Sequence, residues 1–198
     1  MDEQYLDMLQ KQLQLRKVQV APGLSDEEVI EIQERFGFHF PPDLRFLLQH
    51  FLPVEQATPR RPWVNWREEP EEAIRKRLEW PAEGICFDIE HSGFWIDEWG
   101  PRPTDLEEAF LIARQEVEKA PTLIPIYAHR YLPDEPSLAG NPVFSVWQTD
   151  MIHYGFDLAT YFTAEFCVDE QISPDFYIPI PEWAAKSPRP IRFWDHFL

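Results

Sequence analysis

Across residues 123–166 the hydrophobic period of this chain switches from two to about 3.6, and that switch constrains the fold more than any other feature. Apolar runs at 123–127, 143–147 and 151–154 predict three short strands, separated by turn residues around Pro133, Pro136, Gly140 and Pro142. After Gly155, the spacing of Leu158, Tyr161, Phe162 and Phe166 predicts a helix. Strands joined by turns and followed directly by a helix do not form the strict βαβ alternation of a doubly wound sheet. They predict an α+β fold.

The first half of the chain is expected to be mainly helical. Tyr5, Met8, Leu9, Gln12 and Leu13 lie on one face of a first helix. Ser25 and Glu28 form a capping box, with Val29, Ile32 and Phe36 along the face behind it and Gly37 as the stop. Pro41 and Pro42 start a third helix, in which Leu44, Leu47, Leu48 and Phe51 repeat at core spacing. A proline-rich surface loop is expected at 53–62, then a short helix near 68–78. Ile85, Phe87 and Ile89 alternate with Cys86 and Asp88, which predicts a strand turning at Gly93 into a hairpin with Phe94, Trp95 and Ile96. Thr104 and Glu107 predict a second capping box, before a helix carrying Leu106, Ala109, Phe110, Ala113 and Val117. The proline-rich tail from Ile172 is expected to wrap over the domain in extended form.

A chain of 198 residues fits one domain. Residues 1–22 supply a helix packed on the body formed by 23–198. The formal net charge is -17, and both halves contribute: 20 acidic and 11 basic residues in 1–100, then 15 and 7. A field of that sign repels nucleic-acid phosphates and anionic lipid while drawing in basic protein surfaces. Between Tyr131 and Ala185 there are nine acidic residues and no Lys or Arg. Neither a nucleic-acid nor a membrane partner is expected. The charged amphipathic start and the lack of a long apolar run point to a cytoplasmic protein.

Chemistry-bearing motifs are sparse. The seven glycines form neither GxGxxG nor GxxxxGK, and there is no GxSxG or HExxH. Cys86 and Cys167 lack metal-type spacing and are expected as reduced core residues. The histidines (His39, His50, His91, His129, His153 and His196) are too widely spaced to put two on one helical turn, so no metal or other cofactor is expected. On a strand, Asp88 and Glu90 would share a face as paired catalytic acids can, but that spacing is common on solvated surfaces, which is the favoured reading.

Several runs, taken together, resemble the SUKH superfamily, which includes the Smi/Knr-type regulators of fungal cell-wall synthesis. They are GLSDEEVIEIQERFGFHFPPDLRFLLQHF (23–51), GICFDIEHSGFWIDEWGPRP (84–103), LIPIYAHRYLP (123–133) and GNPVFSVWQTDMIHYGFDLATYF (140–162). After Phe51 the chain departs from the family, with Leu52-Pro53 and a longer loop where many members have an Asn-Gly turn. The resemblance implies a single α+β domain with a mixed, mainly antiparallel sheet partly wrapped by helices. It also implies a protein-binding role, which in many bacterial members looks like neutralisation of a toxin.

The expected partner-binding residues are Asp88, Glu90, Trp95, Asp97, Glu98, Trp99, Asp150 and Tyr154, with no catalytic set. Trp95 and Trp99 beside Asp97 and Glu98 combine large anchors with carboxylates suited to a basic partner; the same indoles could instead fill the core. The functional expectation is a non-enzymatic module whose partner is a protein, a basic toxin domain in its sharpest form. The alternatives are a small hydrolase using Asp88, Glu90, His91 and His153, and a regulatory scaffold with no toxin partner.

Overall fold

The computed structural model describes residues 1–55, 63–166 and 177–198 as one compact α+β domain. Cys167, together with Asp169, Glu170 and Asp175 of the acidic stretch, lies outside the described residues. Helix α1 (Glu3–Leu15) leads into strand β1 (Gln19–Pro22), helices α2 (Asp26–Phe36) and α3 (Pro42–His50), and strand β2 (Phe51–Glu55). Helix α4 (Glu71–His91) and α5 (Leu106–Glu118) follow, then strands β3 (Leu123–Tyr127), β4 (Arg130–Pro133), β5 (Val143–Trp147) and β6 (Asp150–Gly155), and helix α6 (Leu158–Phe166). Strands β1 and β2 form an antiparallel pair, and β3-β4-β5-β6 is an antiparallel meander.

Local signals explain α1 to α3. Asp2 accepts from the Tyr5 N–H to start α1, which buries Tyr5, Leu6, Leu9 and Leu13. The Ser25/Glu28 box forms on α2 with both reciprocal bonds, and Gly37 ends the helix at φ 76°. Arg67 then bonds the Glu28 carboxylate; with the Ser25 N–H, it holds that group down at about pKa 2. Phe51 leaves the helical face and opens β2, so Pro53 belongs to a strand rather than a loop; residues 56–62 lie outside the described set. The cap of α5 shifts by one residue. Asp105, not Thr104, accepts from the Glu108 N–H.

The meander is covered on both faces, which is why β3 reads as an unbroken apolar run instead of an alternating one. Ile124, Leu132 and Val143 face a core shared with α1, α2, α3 and α6. Leu123, Tyr131, Phe144 and Val146 face a second core with α4, α5 and the C-terminal segment. Residues 177–198 of that segment insert Ile191, Trp194 and Phe197, the last two on a 3₁₀ turn rather than an extended strand, and the Trp194 indole donates to the Pro121 carbonyl at 2.7 Å.

Helix α4 corrects the expected short helix, strand and hairpin. The period-two pattern covers only Ile85 to Ile89, whereas Ile74, Pro81, Ile85 and Ile89 are buried along one helical face over 21 residues. Phe87, which a strand would turn inward, is exposed. After Gly93 the chain makes a 3₁₀ turn at Asp97–Trp99 instead of a strand.

Pro81 sits inside α4 and cannot donate to the Arg77 carbonyl one turn back. The buried Tyr131 hydroxyl takes that role, donating to the Arg77 oxygen at 3.0 Å. Sheet and helix therefore complete each other. Replacing Tyr131 with Phe leaves a buried carbonyl without this donor and should lower unfolding stability by about 1–3 kcal/mol. Chemical denaturation of the purified variant measures it, and an unchanged midpoint would mean that water satisfies the carbonyl.

Candidate functional site: an aromatic groove on helix α4

Two hairpin turns, Ala128-His129 and Gln148-Thr149, lie at the same end of the meander, and α4 runs past them. The β5–β6 turn is pressed onto the helix at Gly84. A Cβ there would stand 2.7 Å from the Gln148 Cα, so only glycine permits the approach. One turn further, the Asp88 carboxylate accepts from the Thr149 N–H at 3.0 Å and from its hydroxyl at 2.5 Å. Gln148 itself adopts φ 57° to make the tight turn.

This clamp leaves three large side chains facing solvent together: Trp80 (39% exposed) and Phe87 (46%) from α4, and Trp147 (56%) from the end of β5. The two indoles meet with centroids 6.1 Å apart at 60°. His129 packs edge-on against Trp147, and His91 stacks on Phe87 at 4.0 Å. Between them runs a groove of about 350 Å³, closed on the α5 side by Phe110 and Arg114 and floored by Gly84 and Cys86. Trp80 also walls a second hollow of about 410 Å³ bordered by Lys76, Arg77, His129 and Tyr131. Burial raises the Cys86 thiol above its ordinary pKa, with the Arg114 charge opposing the shift.

Carboxylates rim the groove. Glu83 pairs with Arg114 at 2.8 Å. Glu90 is half exposed, with the His91 imidazole 3.8 Å away. Asp150 lies directly across the hairpin from Trp147 and is exposed. Of the expected binding residues, Glu90 lines the groove, and Asp150 stands across the β5–β6 turn from its Trp147 wall.

The others are placed differently. Residues two apart on a helix point about 200° apart, so Asp88 and Glu90 do not share a face, and Asp88 holds the hairpin instead of a ligand. Trp95 and Trp99 pack edge to face at 5.1 Å, the Trp95 indole donates to the Gly100 carbonyl, and Trp99 stacks on Phe193. Both serve the second core, leaving Asp97 and Glu98 exposed on the turn between them. Tyr154 packs against the main core with the Arg130 guanidinium 3.7 Å from its ring centre. His153 is one strand-length away from Asp88, four residues or roughly 13 Å beyond Thr149. It contacts Phe144, and its imidazole is 3.9 Å from Asp195.

Nor is the acidic stretch a continuous face. Asp157 caps α6 and accepts from the Ala185 N–H; Glu165 pairs with Arg130, just outside the stretch. Asp134 accepts from the Thr122 N–H, and Glu135 pairs with Arg192. Its exposed members among the described residues are Glu135, Asp150 and Glu182, of which Glu135 is the one paired with Arg192.

A larger hollow of about 600 Å³ lies under the C-terminal segment, with Asp43, Asp157 and Arg189 in its lining. Their polar atoms serve the scaffold: Asp43 accepts from the Gly140 and Leu44 N–H groups, and Arg189 donates to Asn141 and to the Ala139 carbonyl. Burial holds the Asp43 carboxyl above the usual range, with the Gly140 N–H opposing the shift. Among the described residues no group of three His, Cys, Asp or Glu side chains could hold a metal, and no helix is long and apolar enough to cross a membrane.

Sequence reasoning missed Trp80, Phe87, Trp147 and Glu83. The available signal was the face of α4 opposite Ile74, Pro81 and Ile85, hidden once that segment was divided between a helix and a strand. No protein-family model, curated protein or solved structure matches this chain.

Proposed function

We propose that this chain is a non-enzymatic protein-binding module of SUKH type, with neutralisation of a basic toxin domain as the sharpest form of the role. The resemblance of residues 23–162 supports the family reading. The observation that carries the binding role is the solvent-facing trio Trp80, Phe87 and Trp147, held by a glycine contact and an Asp88 clamp on two rigid elements. Exposed aromatics gathered around a concavity are the composition of an interface centre, and leaving them in water has no folding benefit. Carboxylates at the rim and the net charge of -17 favour encounter with a cationic surface.

Affinity capture from the native lysate with wild type and with the Trp80→Ala/Trp147→Ala double variant tests this, at about 50 and 500 mM salt. A stoichiometric partner should be retained by wild type at low salt, released at high salt and lost from the double variant. Equal retention by both proteins would remove the groove from the function, and indifference to salt would remove the electrostatic mechanism.

A further inference from the structure

We propose that the groove between α4 and the β5–β6 turn receives an arginine or lysine side chain from an extended segment of the partner, its stem against Trp147 and Phe87 and its charged head toward Glu90 and Asp150. This rests on the binding role proposed above and specifies the occupant. The groove holds about 350 Å³, at the small end of ligand pockets. It admits a few side chains, not a helix. Indole and phenyl walls suit an aliphatic stem, and an indole face attracts a cation, arginine most of all because its planar head stacks while its donors remain free for a carboxylate.

The charges give the groove a direction. At one end Glu83 is already bonded to Arg114, so a cation gains little there. Glu90 lies two helical turns beyond Glu83, half exposed and, among the described residues, ion-paired with nothing but the neighbouring His91 imidazole. Asp150 adds a second carboxylate opposite Trp147. An uncharged apolar segment would desolvate these acids without compensation, and a second copy of this chain would set like charges against each other. A cation satisfies both walls and rim.

Panning a phage-displayed library of random twelve-residue peptides on the full chain tests the assignment, followed by titration of the enriched peptides, made synthetically, against wild type, Trp147→Ala and Glu90→Gln/Asp150→Asn. Trp147 is exposed, so its truncation should leave the circular-dichroism spectrum unchanged. Wild type should enrich peptides with Arg or Lys beside an apolar residue, bound about thirtyfold more weakly by Trp147→Ala and about threefold to tenfold more weakly by the double variant. Enriched peptides that depend on Trp147 but lack cations would overturn this inference and leave the groove as a binding site. Absence of enrichment, or peptides indifferent to Trp147, would overturn both.

Discussion

Replacing Arg130 with methionine should lower unfolding stability by about 3–5 kcal/mol, the largest single-residue loss expected outside the apolar core. Arg130 and Glu165 are almost fully enclosed, with side-chain exposures of 7% and 5%, and meet at 2.9 Å. The same guanidinium donates to the Ser145 hydroxyl at 2.8 Å and lies over the Tyr154 ring. Methionine fills much of the space but removes the cation that faces the Glu165 carboxylate in a low-dielectric interior, and the loss of that compensation dominates the cost. With a urea slope of about 2 kcal/mol/M, the midpoint should fall by about 1.5–2.5 M. Adding Glu165→Leu removes the uncompensated carboxylate charge, so the double variant should recover most of the loss. A single variant as stable as wild type would mean that water reaches Glu165.

Gly84→Ala should destabilise the protein by about 1–3 kcal/mol even though alanine is the better helix former. Propensity alone predicts a gain of about 1 kcal/mol at this position in α4. Against it, the new methyl would lie 2.7 Å from the Gln148 Cα, and a backbone atom in a tight turn has no rotamer with which to yield. The hairpin must move away, stretching the Asp88–Thr149 bonds and shifting Trp147 from Trp80. Denaturation and the indole fluorescence of the native state should therefore change together, and peptide binding at the groove should weaken with them. Gly37→Ala is the contrast. Its Cβ meets nothing within 4 Å, so its cost is confined to the left-handed backbone at the end of α2, about 1 kcal/mol. A stabilised Gly84→Ala protein would show that the turn is not pressed onto the helix.

The parts of the fold legible in the chain are those whose causes lie within a few residues. The Ser25/Glu28 box and Gly37 define α2 by bonds between residues three and four apart, and Pro42 opens α3 because its missing N–H is not needed in a first turn. Helix α4 was misread because Ile85, Phe87 and Ile89 fit two periods over five residues. The arbiter is Ile74, eleven positions before Ile85, together with Tyr131 in a strand fifty residues later that supplies the donor Pro81 lacks. Strand β4 was hidden for a related reason. Its four residues are buried on both faces and show no alternation to read.

The acidic stretch shows the same limit at the level of function. Composition gives its charge correctly, but Asp157, Glu165 and Asp134 are taken up by bonds inside the fold, and Glu135 by a surface pair with Arg192, that no spacing announces. Trp95 and Trp99, the most interface-like pair in the sequence, turn inward onto Phe193 and each other. Trp147, unremarked within an apolar strand, ends at the surface because β5 runs one residue past its cover.

By itself the sequence determined the α+β class, the sign of the surface field and the helices whose start and stop signals are local, since charge and capping need no distant partner. Which tryptophans face water, which acids stay free to meet a cation, and the groove lined by Trp80, Phe87, Glu90 and Trp147 were decided only when α4 met the β5–β6 turn. The physical reason is that exposure belongs to a contact between surfaces sixty residues apart along the chain, and each of those surfaces carries only half of the pattern.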